Sequence, residues 1–347
     1  MKPPGYGLLY FSFSKHDLNI YFISNFDLNI KVGEKCLKPS KDKSRYKIGV
    51  AGIECISPLT IMKSLYKSAE NKKEILAIYQ EKLEGLSMNY STQKVLTTFG
   101  ETNIIITGNP SNPPLILLHG ANACAPVALD EMKGLAATFR VYAVDIIGQP
   151  NLSAETRPSM KTEEYGQWLN EVITQLSLVQ VVLVGVSFGG FVCLKTLIQD
   201  PSKIKKAFLI VPVGIINAKP WGGLFGLFLP LQLYMLTKKE AFLRTFLNAL
   251  FTENDSYAFK SLSRILLYFK QDFTLIPLIS EEEGRKITVP IYVVAGTDDK
   301  FSPGKQMLDR TAKIFPSFAH SLLLKNTKHV PSQTQNREIE KFIAETV

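Results

Sequence analysis

The chain has 347 residues, 46% of them hydrophobic, enough to bury one large α/β core with an insertion. Its net charge of +9 comes from dispersed basic residues. No finger, basic helix or RNA-binding aromatic signature accompanies them, so nucleic acid is excluded as the expected partner and a solvated surface accounts for the charge. The four cysteines, Cys36, Cys55, Cys124 and Cys193, have neither metal-ligand nor redox spacing, which argues against a metal centre and for reduced thiols in a cytoplasmic setting.

Residues 1–61 mix aromatic and polar residues, carry a Lys/Ser run at 38–47, and match nothing in the rest of the chain. They read as an appended segment, outside the motif pattern of the rest of the chain described below, or as a stretch upstream of a natural start at Met62. Lys2 precedes a short apolar run, but Lys15, His16 and Asp17 break it and no small-residue cleavage site follows, so it does not read as a signal peptide. Residues 62–86 read as a charged helical stretch. Gly100-Glu101 between the β-prone runs 94–99 and 103–107 predicts a hairpin. Apolar runs then recur at 115–118, 141–144, 181–184, 207–211, 291–295 and 322–324, alternating with helical stretches. That rhythm predicts an α/β fold, a mostly parallel sheet of about eight strands with helices on both faces. Functional side chains are then expected at the carboxyl ends of strands. Residues 213–285 interrupt the rhythm. Their most apolar run, 221–235, is broken by Pro230 and glycines and is too short to span a bilayer, so no stable membrane insertion is expected. A helix at 336–346 closes the chain.

The most informative stretch is Val181-Val-Leu-Val-Gly-Val-Ser-Phe-Gly-Gly190. A β-branched run feeds Gly185-x-Ser187-x-Gly189, and a helical pattern follows at 191–199. A serine on a sharp strand-to-helix turn has a strained backbone and no room for side chains two residues away, which Gly185 and Gly189 supply. Further on, Gly296-Thr-Asp-Asp299 follows a late strand, and His329 follows the last short apolar run. Asp298 and Asp299 are adjacent, and only one can orient a histidine. Of the four histidines, His16 lies in the odd N-terminal segment, His119 ends an early strand, and His320 precedes the last strand, the wrong side for a strand-end site. His329 is left as the base. The order is nucleophile, acid, base.

Together with Leu118-His119-Gly120-Ala121 and the stretch Asp145-Ile-Ile-Gly148-Gln-Pro150-Asn-Leu-Ser153, these motifs resemble the α/β-hydrolase superfamily over about residues 90–347. Within it the chain resembles bacterial carboxylesterase-like serine hydrolases with a helical cap. The resemblance implies a catalytic triad of Ser187, Asp299 and His329. Asp299 is favoured over Asp298 because the family's acid lies three residues after the strand-ending Gly296 and four before Pro303. It implies an oxyanion hole from the backbone N–H groups of Ala121 and Phe188, each donor worth about 3–4 kcal/mol at the transition state. His119, Gly120, Gly185 and Gly189 are expected to be structural, with His119 bracing its loop by hydrogen bonds. The Asp145 loop departs from the family pattern at Pro150-Asn151-Leu152, which bears on substrate shape and leaves the triad untouched. Residues 62–212 and 286–347 would form the core, and 213–285 a helical cap lining a pocket for a small apolar acyl substrate. The implied reaction is ester hydrolysis through an acyl-enzyme, with no cofactor or metal, by a monomer or homodimer. Other Ser-dependent reactions on this fold (C–C, thioester or amide hydrolysis, or a peptidase) stay open, as does a non-catalytic member that binds a small ligand. Glu281, Glu282 and Glu283 could serve a substrate amine, or form a solvated charge run. Cys124, near the oxyanion loop, is expected to be open to alkylation with loss of activity. Cys193, after the elbow, is expected in the core.

Overall fold

A computed structural model describes residues 64–216 and 227–346, together with the backbone of short strands before them. The chain divides into two units, Met1–Lys63 and Ser64–Val347. In the first, β1 (Leu8–Phe13), β2 (Leu18–Ile23) and β3 (Leu28–Val32) pair antiparallel, as do β4 (Leu37–Pro39) and β5 (Tyr46–Ile48). The expectations for the rest of 1–61, for the start at Met62 and for the Trp221 end of the apolar run lie outside the described residues.

The second unit opens with α1 (Ala69–Glu84). This helix begins later than the sequence pattern predicted. Tyr66 bridges antiparallel to Phe269, and the Lys67 N–H donates to the Tyr268 carbonyl, which holds these residues extended. Ser68 then caps the helix by accepting from the Asn71 N–H. The hairpin comes next as β6 (Tyr90–Thr97) and β7 (Gly100–Thr107), then β8 (Pro114–Leu118), α2 (Ala125–Glu131), β9 (Arg140–Val144), α3 (Glu164–Gln175), β10 (Val181–Val186), α4 (Phe188–Gln199) and β11 (Ile204–Ile210). After β11 come three helices, α5 (Leu229–Thr237), α6 (Glu240–Leu250) and α7 (Ser256–Tyr268). The remainder is α8 (Glu281–Lys286), β12 (Ile291–Gly296), α9 (Gly304–Ile314), β13 (Phe318–Leu324) and α10 (Gln333–Thr346). No helix among the described residues is long and apolar enough to cross a membrane.

The eight strands β6–β13 form one sheet in the order β13-β12-β11-β10-β8-β9-β7-β6. The pairs from β13 to β9 are parallel, and β7 and β6 add an antiparallel edge. Both faces are covered, and the period of two along each strand is visible in the core. Ile116, Leu118, Leu183 and Leu209 pack on one side with α3, α4 and α9, while Leu115, Leu117, Val182, Val184 and Phe208 pack on the other with α1, α2 and α10. This explains why the sequence runs are continuously apolar rather than alternating.

The chain leaves β8 for β9 on one side, then returns across the sheet to β10 on the other. The carboxyl ends of β8 and β10 therefore diverge at a switch point, where open α/β sheets form their ligand crevice. Leu118 of β8 lies opposite Gly185 of β10, so His119-Gly120 and Val186-Ser187 leave the sheet side by side.

Candidate active site

Ser187 sits at the turn between β10 and α4 with φ 51° and ψ −107°, a backbone state that L-residues rarely adopt. The surroundings over-determine it. A β-carbon on Gly185 would lie 2.4 Å from the Gly189 carbonyl oxygen and 2.7 Å from Cys193 Sγ, and one on Gly189 would lie 2.6 Å from the Leu118 oxygen. The Ser187 N–H donates to Ile210, and the Ser187 carbonyl accepts from Gly190. The helix begins at once, at Phe188 rather than Phe191, so the Ser187 side chain stands at the amino end of α4 without capping it.

That side chain meets His329. Ser187 Oγ and His329 Nε2 are 2.8 Å apart, and His329 Nδ1 is 2.8 Å from Asp299 Oδ2. A carboxylate only accepts, so Nδ1 carries the proton and Nε2 is left free to accept from the serine hydroxyl. Asp299 is 3% exposed, and its other oxygen accepts from the Phe301 and Ser302 N–H groups at 2.7 and 2.8 Å. Asp298 is exposed, and among the described residues its carboxylate accepts from the Thr297 hydroxyl alone. The Phe301 ring lies edge-on to the imidazole at 4.9 Å. His320 stands inside β13, not before it as the sequence pattern suggested, because that strand pairs with β12 from Phe318 onward.

On the β8 side, a β-carbon on Gly120 would be 3.6 Å from Ser187 Cβ, an ordinary contact distance, so the two loops lie side by side here. Ala121 and Phe188 follow the two loop residues that meet there. Their N–H groups donate to no group among the described residues. His119 is 1% exposed. Its Nδ1–H donates to the Gly120 carbonyl at 2.7 Å and its Nε2 accepts from the Ile146 N–H at 2.9 Å. The ring is therefore neutral, and burial pushes its pKa down to about 4. It ties the loop after β8 to the loop after β9.

The loop after β9 is itself organised by Asp145, which is fully buried. Its carboxylate accepts from the Ala125 N–H, the Tyr79 hydroxyl and the Asn103 amide. Burial raises its pKa to about 6 despite those bonds. Tyr79 and Asn103 are distant in sequence and carry no motif, so sequence reasoning missed this network. Gln149 lies within the quoted loop motif, but its acceptance of the Asn122 N–H was not read from it. The asparagine itself, a residue type that tolerates the left-handed conformation it adopts here (φ 58°), was the one local signal.

Two thiol expectations divide. Cys193 lies in the core. Cys124 is also buried, at 6% exposure, and burial raises its thiol pKa, so the expected ready alkylation is corrected. The acidic run Glu281–Glu283 forms the first turn of α8. Glu283 completes a capping box with Ser280 and pairs with Lys195, and Glu281 pairs with Lys313. Among the described residues no cluster of His, Cys, Asp and Glu could hold a metal ion.

Residues 113–332 match the family model described as alpha/beta hydrolase fold. Over 308 residues the chain is 26% identical to a Bacillus subtilis (strain 168) protein named uncharacterized carboxylesterase nap, covering 82% of this chain and 97% of that one. Naproxen esterase (carboxylesterase NP) from Bacillus subtilis has a similar solved structure, with TM-score 0.69 at 23% identity over 81% of this chain and 99% of that one. Carboxylesterase CesB (YbfK) from the same organism gives TM-score 0.67 at 22% identity over 79% and 97%. At those identities the structural likeness speaks for the fold alone.

Proposed function

Because this chain belongs to the alpha/beta hydrolase fold family, and its relatives include carboxylesterases, we propose that it hydrolyses carboxylic esters with Ser187 as nucleophile. The observation that carries the reading is the hydrogen-bonded line Ser187–His329–Asp299 at the switch-point crevice. In this reading Ser187 Oγ attacks the ester carbonyl as its proton passes to His329 Nε2. The imidazolium so formed is stabilised by Asp299, whose carboxylate is fixed by two backbone N–H groups. The carbonyl oxygen becomes an oxyanion between the Ala121 and Phe188 N–H groups. His329 then protonates the departing alcohol, leaving an acyl-serine. A water, deprotonated by the same imidazole, attacks that acyl group, and collapse of the second tetrahedral species frees the acid and restores Ser187. The serine proton passes through His329 to the alcohol and the water proton passes through His329 back to Ser187, so the cycle closes without a cofactor.

The helices α5–α7 act in this reading as a cap over the crevice, within 213–285. Exposed apolar residues of that segment, such as Phe228 and Leu229 at the start of α5 and Phe273 and Leu275 after α7, support an apolar acyl substrate. The unpaired thiols Cys124 and Cys193 fit a reducing, cytoplasmic setting.

The test is hydrolysis of p-nitrophenyl esters from acetate to decanoate by the wild type and Ser187→Ala. The expected loss in kcat is roughly 10³-fold or more, with the best chain length sizing the acyl site. Wild-type rates no higher than those of Ser187→Ala on every ester would refute ester hydrolysis.

A further inference from the structure

The turn that carries the Ala121 N–H is held from two sides, and one side belongs to the helical insertion. Gly120 to Ala123 form a turn closed by the Ala123 N–H on the Gly120 carbonyl at 3.3 Å. Asn122 takes the left-handed position of that turn, where only Gly, Asn and Asp are comfortable. Its backbone N–H donates to Gln149 Oε1 at 2.9 Å, which fixes the orientation of the Ala121–Asn122 peptide. Its side-chain amide reaches the other way and donates to Gln271 Oε1 at 3.0 Å, 149 residues distant.

Gln271 is a fixed anchor. It lies three residues past the end of α7, and its amide nitrogen donates to the carbonyls of Ile265 and Phe269 at 3.1 and 3.4 Å. Those carbonyls only accept, so the NH₂ must face the helix end and the oxygen must face Asn122. The backbone beside it is pinned as well. The Lys270 N–H donates to the Leu65 carbonyl, the Lys270 carbonyl accepts from Arg157, and the Arg157 guanidinium lies over the Phe269 ring. Arg157 also donates to the Gly148 carbonyl, next to Gln149. Both anchors of Asn122 are thus part of one braced block that includes the end of α7.

We infer that Asn122 and Gln271 are positioning residues that latch the oxyanion turn to the end of helix α7, so that the helical insertion sets the aim of the Ala121 N–H. This rests on the reading of Ser187 as nucleophile and of Ala121 as an oxyanion donor. An oxyanion donor is effective only if aimed before the charge develops, and displacements of about 1 Å at such a site lower rates by up to about 100-fold. Within the core the turn is held by His119 on the Gly120 carbonyl and by Gln149 on the Asn122 N–H. The Gln271 bond supplies the opposing restraint, and it comes from the part of the chain that the reading assigns to substrate enclosure. Neither side chain is hydrogen-bonded to Ser187, His329 or Asp299, so the effect runs through the turn.

The experiment compares wild type with Gln271→Leu, Asn122→Gly and the double variant. Glycine keeps the left-handed backbone while removing the side-chain amide, which separates the latch from turn strain. On a p-nitrophenyl ester, each single variant is expected to lose about tenfold or more in kcat with KM changed by less than about twofold, the mark of an interaction made in the transition state. The double variant is expected to fall no further than the worse single, because both remove one bond. Hydrogen exchange of a peptide covering 119–124 is expected to quicken by about tenfold in Gln271→Leu, while peptides from β10 and β11 stay unchanged. Unchanged exchange at 119–124 overturns the latch, as do kcat values within about twofold of wild type where the wild type is Ser187-dependent. If no ester is hydrolysed in a Ser187-dependent way, the functional reading falls, and the exchange measurement still decides whether Gln271 holds the turn.

Discussion

Replacing Asp299 by asparagine changes one oxygen for an NH₂ and should silence the site through the tautomer of a different residue. Oδ1 of Asp299 accepts from the Phe301 and Ser302 N–H groups, and Oδ2 accepts from His329 Nδ1. In Asp299→Asn the two backbone donors at 2.7 and 2.8 Å can be met only by the amide oxygen. The alternative amide orientation would set an NH₂ against two N–H groups in a site that is 3% exposed. The NH₂ must therefore face His329, and the ring must answer with an unprotonated Nδ1. Its proton moves to Nε2, which then points a hydrogen at Ser187 Oγ instead of a lone pair. The serine loses its base while every heavy atom stays in place. An orienting aspartate lost in this way is worth about 10⁴-fold in kcat, or about 5.4 kcal/mol of barrier. The assay is kcat for a p-nitrophenyl ester alongside the thermal midpoint, which should move little. A variant that keeps kcat within tenfold of wild type would refute the assignment of Asp299 as the orienting acid. It would equally refute the argument that the two N–H groups dictate the amide's direction.

Two further outcomes stem from burial. His119 is neutral and buried with its pKa depressed to about 4, whereas in the unfolded chain it titrates near the ordinary value of about 6.5. Between those values the unfolded state binds the proton and the folded state does not, so the His119 contribution is full above about pH 6.5 and is lost as pH falls toward 4. Asp145, raised to about 6, has the opposite sign over an overlapping window, binding a proton more tightly when folded and losing stability as pH rises from about 4 to 6. The two slopes oppose each other in the wild type. In His119→Gln the first is removed, so the stability difference between wild type and variant should grow by on the order of 3 kcal/mol from pH 4 to 6.5. Urea unfolding across that range measures it, and a pH-independent difference would contradict the assignment of a neutral His119. Cys124, buried and with a raised thiol pKa, should resist iodoacetamide at pH 7.5 in the folded enzyme, with activity retained and the mass of intact protein unchanged at this site. Rapid stoichiometric labelling at Cys124 with loss of activity would show that the loop opens.

Much of the site was legible because its parts are local or singular. The turn at Ser187 demands small residues two positions away, and the clashes at Gly185 and Gly189 are with main-chain atoms that cannot yield. His329 emerged because few histidines exist and one of them follows the last strand. The separation of Asp299 from Asp298 came from resemblance, and its physical content is visible only in three dimensions: one carboxylate is buried on two N–H groups and the other is exposed. What stayed hidden has long sequence separation and ordinary composition. Tyr79, Asn103 and Asp145 span 66 residues yet share one set of hydrogen bonds. Nothing in a lone tyrosine of α1 announces that. The start of α1 was misplaced for a related reason, since the residues before Ser68 are held extended by a distant segment, Tyr268 and Phe269.

The same contrast bears on how such a site can change. The residues proposed to do the chemistry hang from strand ends, where backbone pairing fixes them: Gly185 against Leu118, and Ile210 against Val186. Among the described residues the insertion between β11 and β12 adds no strand to the eight-stranded sheet, though Phe251 bridges Val330 beside His329, and it is the natural place for substrate preference to be set. A bond such as Asn122–Gln271 crosses that division. If Ala121 is an oxyanion donor as proposed, its aim depends on where α7 ends, so a substitution in the insertion that shifts α7 to admit a larger acyl group would also alter the rate of the chemical step. On that proposal selectivity and reactivity are coupled through one amide. Widening the acyl site should therefore cost kcat unless the Gln271 carbonyl is kept within reach of Asn122.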